Sequence, residues 1–413
     1  MGATLDTTAL AAVLKTQYTQ SKVNTLSYPD NPFFAMVAKR TDFVGANKVV
    51  AFRNAVPQGR GADFATAQAN KTASVYNKVT VTRAKDYALA QVTGEAIEAA
   101  ANDAGSLLTS LKSEIDGAIY VCMRSLALAM FKNQGGARGV ISSGSNVATP
   151  TITLATITDI TNFEVGMILN LSATDGTSGS KLAGTVTVSA LDRDLGTITC
   201  TGNWSSGIAS AATGQYIFQN GDFEATKSML AGLAAWIPTT APATGGSDSF
   251  FGLDRSSDPT RLAGIRYSAG AGGPIEEILI ETMARTAREG GKTDTVFLNP
   301  LDYSTLVKAL GAKVIYDRAK SFDAPDIGFD AVKLMGPKGP AKIIADLNCP
   351  KGYAYALQLN TWKLETLKGA PRILNLDGLQ MLRSATADAY EFRIGYYGNM
   401  TCEAPGWNAV ATL

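Results

Sequence analysis

The chain has 413 residues, 46% hydrophobic and 18% charged, with 37 Lys and Arg against 36 Asp and Glu and no histidine. That length is enough for two or three cores, the composition excludes a disordered chain, and the near-neutral balance excludes partner capture through bulk charge. Without histidine, Ser-His-Asp and Cys-His catalysis are excluded and the commonest zinc ligand is missing.

Residues 1–44 predict an N-terminal arm: an amphipathic stretch (Leu10, Val13, Leu14, Tyr18), then SYPDNPFF, whose two prolines predict extended chain. The first twenty residues lack a basic segment followed by an apolar one, so no signal peptide is expected. Asp6 stands where a myristoylation signal needs Ser or Thr, and no apolar run reaches membrane-spanning length.

Residues 45–92 predict a long hairpin. In 46–56 Val50, Phe52 and Val56 share a face, and in 74–90 Val75, Val79, Val81, Tyr87 and Leu89 do. The intervening PQGRGADFATAQANKTASVYNK has no helical apolar period, little to bury, and one acid, Asp63, among Arg60, Lys71 and Lys78. A finger this long and polar inside ordered chain points to function.

Residues 93–148 predict a spine helix followed by a loop at 135–147. Ile97, Ala101, Ala104, Leu108, Leu111, Ile115, Ile119, Cys122, Leu126 and Met130 recur at helical spacing over 93–133, about 60 Å of helix. Thr93 reads as the N-cap, Glu95 and Glu98 suit the first turns, and Gly105 and Gly117 are bend points. Residues 149–220 then predict a small inserted all-β domain, rich in Thr, Ile, Val and Gly, with turns at TDG and LDRDLG. Residues 221–365 mix helices (GPIEEILIETMARTAREGG, LDYSTLVKALGAK) with strands (TVFLNP, AVKLMG, AKIIADL, YAYALQL). Residues 366–413 hold strands expected to return to a sheet near the spine helix.

No catalytic constellation emerges. GGKT at 290–293 resembles the end of a phosphate loop, but Thr286 stands where a glycine is needed and a helix precedes it, so a helix C-cap is the reading. Asp192, Asp194 and Asp175 sit in hairpin turns with too few oxygens for calcium, and Glu276 and Glu277 point to different helix faces. MGPKGPAK reads as a turn between strands. The four cysteines, Cys122, Cys200, Cys349 and Cys402, lack paired spacing and read as buried thiols. No cofactor, metal or membrane is expected.

The order of these parts resembles the major capsid protein of tailed bacteriophages, the α+β Hong Kong 97 fold. VFLNPLDYSTLVKALGAKVIYD is similar to that family's axial-domain strand-Asn-Pro-helix stretch, and GDFEATKSMLAGLAAWIP followed by FFGLDRSSDPTRLAGIRY to the segment leading into it. The resemblance implies an arm at 1–44, an extended-loop hairpin at 45–92, a spine helix and the start of a peripheral domain at 93–148, an insertion at 149–220, an axial domain at 221–365 and returning peripheral strands at 366–413. It implies a structural protein, not an enzyme, whose hexamers and pentamers form an icosahedral shell around double-stranded DNA. Its partners are then itself, a portal protein, a separate scaffolding protein (the chain starts without a long charged scaffolding segment), a possible decoration protein, and DNA held without sequence-specific contact. The location implied is the virion capsid, assembled in the host bacterial cytoplasm.

The finger would then lie across a neighbouring subunit. Lys48, Arg53, Arg60, Lys71, Lys78, Arg83 and Lys85 are the candidate cations, and Glu95, Glu98, Asp103, Glu114 and Asp116 on the neighbour's spine helix the candidate acids. A surface-layer or adhesion protein, and a histidine-free enzyme acting through carboxylates, are the alternatives.

Overall fold

The computed structural model describes residues 31–95, 104–270, 273–310, 332–374, 382–384 and 386–413. The first element is a helix, α1 (Pro32–Met36), where extended chain was expected. Proline at the first helical position has no needed amide to lose and carries a helical φ, so Pro32 starts the helix instead of blocking it. Phe33 is thereby placed in the core, fully buried. β1 (Ala38–Arg40) follows at a sheet edge.

β2 (Asn47–Ala55) and β3 (Val75–Thr82) form the predicted hairpin, with a helix, α2 (Phe64–Ala69), in its tip. β4 (Ala84–Thr93) belongs to another sheet. A single strand over 74–90 with one apolar face is therefore corrected. The break at Arg83 moves the inward positions from odd numbers (Val79, Val81) to even ones (Ala84, Ala90, Val92) and leaves Tyr87 and Leu89 exposed.

Thr93 closes β4, paired with Ala389, and helix begins directly after it at Gly94, so it stands at the expected cap position. α3 (Ala104–Ala129) is the spine helix and runs unbroken through both glycines. Ile97 and Ala101 lie outside the described residues. The apolar stripe holds at Cys122, Leu126 and Met130, with Ile115 and Ile119 half-buried against the core, but from Arg124 to Phe131 every residue is buried.

β5 (Gly139–Val140), β6 (Thr151–Thr153), β7 (Ile168–Ser172), β8 (Val186–Asp192), β9 (Thr197–Cys200) and β10 (Tyr216–Gln219) form one antiparallel sheet in the order β5-β10-β7-β8-β9-β6. A bridge between Ile141 and Leu154 joins its two ends into a barrel. The barrel fills itself with Leu169, Leu171, Val186, Ile198 and Ile217, and with Trp204 from the short α4 (Trp204–Gly207). Its first strand lies in the segment expected to be loop, because two residues are too short to show alternation.

After α5 (Leu233–Trp236), the hairpin β11 (Ser249–Phe250) and β12 (Leu253–Asp254), and α6 (Pro259–Ala263), the chain builds a mixed sheet. Its strands are β13 (Ile265–Ser268), β14 (Thr295–Leu298), β15 (Val332–Gly336), β16 (Gly339–Ala345), β17 (Tyr353–Leu357) and β22 (Ala409–Thr412), in the order β13-β22-β17-β14-β16-β15. α7 (Ile275–Arg288) covers one face with Ile275, Ile278, Leu279 and Met283, at helical spacing, and α8 (Pro300–Leu310) packs beside it. The GGKT segment is a helix end: Gly290 has φ +97, and Gly291 donates to Thr286 O at 3.0 Å.

The remaining sheet is organised by one 14-residue strand, β21 (Ala389–Cys402). β4 pairs along it for ten residues, and β18 (Trp362–Thr366), β19 (Arg372–Ile373) and β20 (Leu382–Arg383) also pair with it; β1 adds in parallel to β18. The tail therefore divides between two sheets: β21 returns beside α3 as expected, whereas β22 crosses to the mixed sheet. A boundary at residue 365 falls inside β18. Alternation identifies a strand but not the sheet it joins.

The sheets and the spine helix meet at an aromatic joint. Phe33 lies 5.1 Å from both Phe131 and Phe297, and Phe131 lies 5.9 Å from Tyr355, all tilted or edge-on. Phe131→Ala is expected to cost roughly 3–5 kcal/mol, the range for a buried Phe with little room to collapse. Denaturant unfolding of the unassembled chain measures it, and a loss below 1 kcal/mol would refute the joint's importance.

Candidate functional site

The finger is a ribbon of two strands alone. β2 and β3 pair from Asn47↔Thr82 to Ala55↔Val75, with an irregularity between Arg53 and Ala55, and among the described residues no third strand joins them. At its root the ribbon's inner face is core: Val79 and Val81 are fully buried, and Thr80 N donates to Phe251 O at 3.0 Å. Arg261 Nη1 reaches Asn54 O at 3.4 Å, across a groove of about 610 Å³ lined by Phe52, Arg53, Glu403 and Trp407.

Beyond Ala55 the chain is exposed and held by local polar bonds. Asp63 accepts from Thr66 N at 3.2 Å and caps α2, so the tip's one acid is occupied by the backbone. Gln58 N donates to Thr72 Oγ1 at 2.8 Å, and Asn70 Nδ2 to Arg60 O at 3.3 Å. A Cβ on Gly61 would meet Ala67 N at 2.9 Å, so the turn into the helix needs glycine. The helix presents Phe64 at 81% exposure, and the outer ribbon face presents Tyr76 and Val49.

One lysine ties the root to the β21 sheet. Lys48 lies 3.0 Å from Asp42 and 3.4 Å from Glu365, whose side chain is almost wholly buried. Hydrogen bonding to Glu365 and Lys48 holds Asp42 down at about 2, whereas burial, then Asp42, raises Glu365. The two carboxylates share one cation, and Asp42 is the one that stays charged into acid.

The sequence-predicted residues fall into three groups. Arg53, Arg60, Lys71 and Lys78 are exposed on the finger, and Lys48 is committed to its root. Arg83 and Lys85 are not finger residues: Arg83 is half-buried, 5.9 Å over the Phe43 ring, and Lys85 is exposed on β4. Among the acids, Glu95 and Asp116 are exposed and Glu114 is half-buried, while Glu98 and Asp103 lie outside the described residues. Sequence reading missed α2, its Phe64, and the partners of Lys48. The Asp-x-x-Thr spacing at 63–66 was the available signal for the helix.

Among the described residues no cluster of three or more His, Cys, Asp or Glu side chains is placed to hold a metal. All four cysteines are buried free thiols, and burial pushes Cys122, Cys200 and Cys402 up to about 12. No described helix is long and apolar enough to cross a membrane.

Residues 209–398 match the model of the SU10 major capsid protein family. No curated protein matches the sequence. The fold is similar to that of a chain in the cyanophage A-1(L) capsid asymmetric unit, with TM-score 0.56, 11% identity and 97% of each chain covered. The likeness to the cyanophage chain is one of fold, and the family match spans a little under half of the sequence. The α+β architecture is thus consistent with the fold of a phage capsid chain. Weaker similarities are to the capsid of the native GTA particle (TM-score 0.49, 10% identity, 98% of each chain) and to Mycobacterium phage Ogopogo (TM-score 0.44, 8% identity, 98% of each chain).

Lys48→Ala is expected to loosen the finger's root. A loss of about 1–2 kcal/mol would speed amide exchange across β2 and β3 by roughly 5–30-fold. Because Asp42 is depressed, its share of the bridge is complete above its ordinary value and is lost only as pH falls through about 2. Hydrogen exchange unchanged by the substitution would refute the anchor.

Proposed function

We propose that the protein forms hexamers and pentamers that close an icosahedral shell around double-stranded DNA, with the finger as a strap laid over a neighbouring subunit. The observation that carries this reading is the unsupported ribbon. An isolated two-stranded hairpin is marginal in water, yet this one extends past its own core and displays Phe64 and Tyr76 to solvent. Such a ribbon is completed by something outside the chain, and in a homopolymeric shell the nearest surface is another copy. Residues 1–44 act as an arm, the barrel as an inserted domain and the mixed sheet as the axial domain. Scaffolding, portal and decoration proteins are the further partners, with assembly in the host bacterial cytoplasm. The packaged DNA is confined by the wall, without a sequence-reading groove.

Magnitudes rank the contacts. An exposed ion pair is worth roughly 0–1 kcal/mol, whereas burying a Phe side chain is worth about 1.5–3 kcal/mol. Phe64 therefore supplies affinity, and Arg53, Arg60, Lys71 and Lys78, facing Glu95, Glu98, Asp103, Glu114 and Asp116 of the neighbour, supply register.

Light scattering and negative-stain images of the chain co-expressed with its scaffolding partner test the assembly reading. Closed shells or capsomer rings are expected, and a chain that stays monomeric at high concentration would overturn it. Phe64→Ala is expected to lower shell yield more than any single finger charge. Reversing Arg60 and Lys71 to glutamate is expected to reduce assembly at low salt and to flatten its salt dependence. A double reversal that assembles with the wild-type salt profile would remove the electrostatic part of the model.

A further inference from the structure

Elements far apart in sequence bring ionisable groups together where the β21 sheet meets the base of the barrel. Asp86 on β4 stands opposite Tyr396 on β21. Both lie on the even-numbered face that buries Ala90, Phe392 and Ile394. Asp86 Oδ1 accepts from Tyr87 N at 2.9 Å, but its Oδ2 is buried without a hydrogen-bond partner, as is the Tyr396 hydroxyl. Across from them the barrel's neck is closed by Arg138, which precedes β5, and Asp222, which follows β10. Arg138 Nε donates to Asp222 Oδ2 at 2.8 Å, and both side chains are almost wholly enclosed. Asn162 Nδ2 donates to Arg138 O at 3.0 Å, so the pair is fixed to the barrel wall.

Among the described residues, ionisable and polar neighbours come from three directions. From α3 come Cys122 and Ser125; from the neck, Arg138 and Asp222, with Lys132 lining the small void beside them; from β21, Tyr396. Cys122 and Tyr396 are raised by burial beyond the neutral range. Two carboxylates therefore face one guanidinium, and only Asp222 holds it.

We propose that these groups form a proton-operated latch between the spine helix, the β4–β21 pair and the neck of the barrel. With Asp86 neutral, the Arg138–Asp222 pair is undisturbed and the barrel is seated. With Asp86 ionised, a second carboxylate competes for Arg138 and the neck loosens. Burial pushes Asp86 up to about 6, with Asp222 adding to the rise while Ser125 and Arg138 oppose it. The folded chain thus binds this proton more tightly than the unfolded chain. The stabilisation is full below the ordinary carboxylate value and is lost as pH rises through about 6.

Hydrogen exchange of the unassembled full chain between pH 5 and 8, corrected for intrinsic exchange rates, tests the latch independently of shell formation. Protection over 138–140 and 216–222 is expected to fall roughly tenfold to a hundredfold as pH rises through the midpoint. Asp86→Asn is expected to keep high protection at every pH. Asp222→Asn, by releasing Arg138 to Asp86, is expected to move the midpoint down, and Ser125→Ala to move it up. A wild-type pH profile in Asp86→Asn would overturn the latch. If that variant does not fold, unmoved midpoints in Asp222→Asn and Ser125→Ala overturn it equally.

Discussion

A buried guanidinium sets the terms for the rest of the molecule. Arg124, seven residues before Phe131 on the spine helix, is almost completely enclosed, and a charge so placed is tolerable only when its donors are met. Its Nη1 donates to Asn348 Oδ1 and its Nη2 to Thr161 O at 3.2 Å. Asn348 in turn donates to Asn31 Oδ1 at 2.9 Å and to Asp346 Oδ1 at 3.0 Å, and Asp346 Oδ2 accepts from Phe33 N at 3.0 Å. Spine helix, mixed sheet, arm and barrel thus share one hydrogen-bonded network. Removing any member would strand a buried polar group in another part, so the four are coupled energetically at this point.

The finger is built on the opposite principle. Its root is welded into the core by Val79, Val81 and the Lys48 bridge, while its tip relies on a capped helix and a few exposed hydrogen bonds. Such bonds contribute little net stability in water. Rigidity at the root fixes the tip's direction, and weak self-interaction at the tip leaves its apolar side chains exposed.

Much of this was legible in periodicity. The hairpin, the spine helix, α7 and the β strands of 149–220 follow from period 2 and period 3.6 patterns that local chemistry enforces. What escaped was set by single residues or by partners hundreds of positions away. Arg83 reverses the facing of a strand whose composition reads as continuous. Pro32 starts a helix because it falls on the first turn, which sequence alone does not mark. β22 leaves the sheet its neighbours occupy, and no pattern within four residues records which sheet will take it. Arg124 reads as a charge near a helix C-terminus, since Asn348 and Thr161 acquire meaning only once folding places them beside it. Asp86 reads as a polar residue on an alternating strand until the neck of the barrel closes over it.

Chain continuity brings these features into one frame. One residue, Arg83, separates the finger's last paired residue, Thr82, from β4, and Asp86 stands three positions further along. Asn399 Nδ2 donates to Thr82 O at 2.8 Å, and its Oδ1 accepts from Ala231 N at 2.8 Å. The finger's root is thus tied to β21 and to the segment leaving the barrel. Proximity alone does not transmit a change; that requires an element with two arrangements. The Asp86–Arg138–Asp222 cluster has them, because one guanidinium cannot fully satisfy two carboxylates in a dry site. Any load on the finger and a proton gained or lost at Asp86 therefore act on the same short stretch of chain, one from each end.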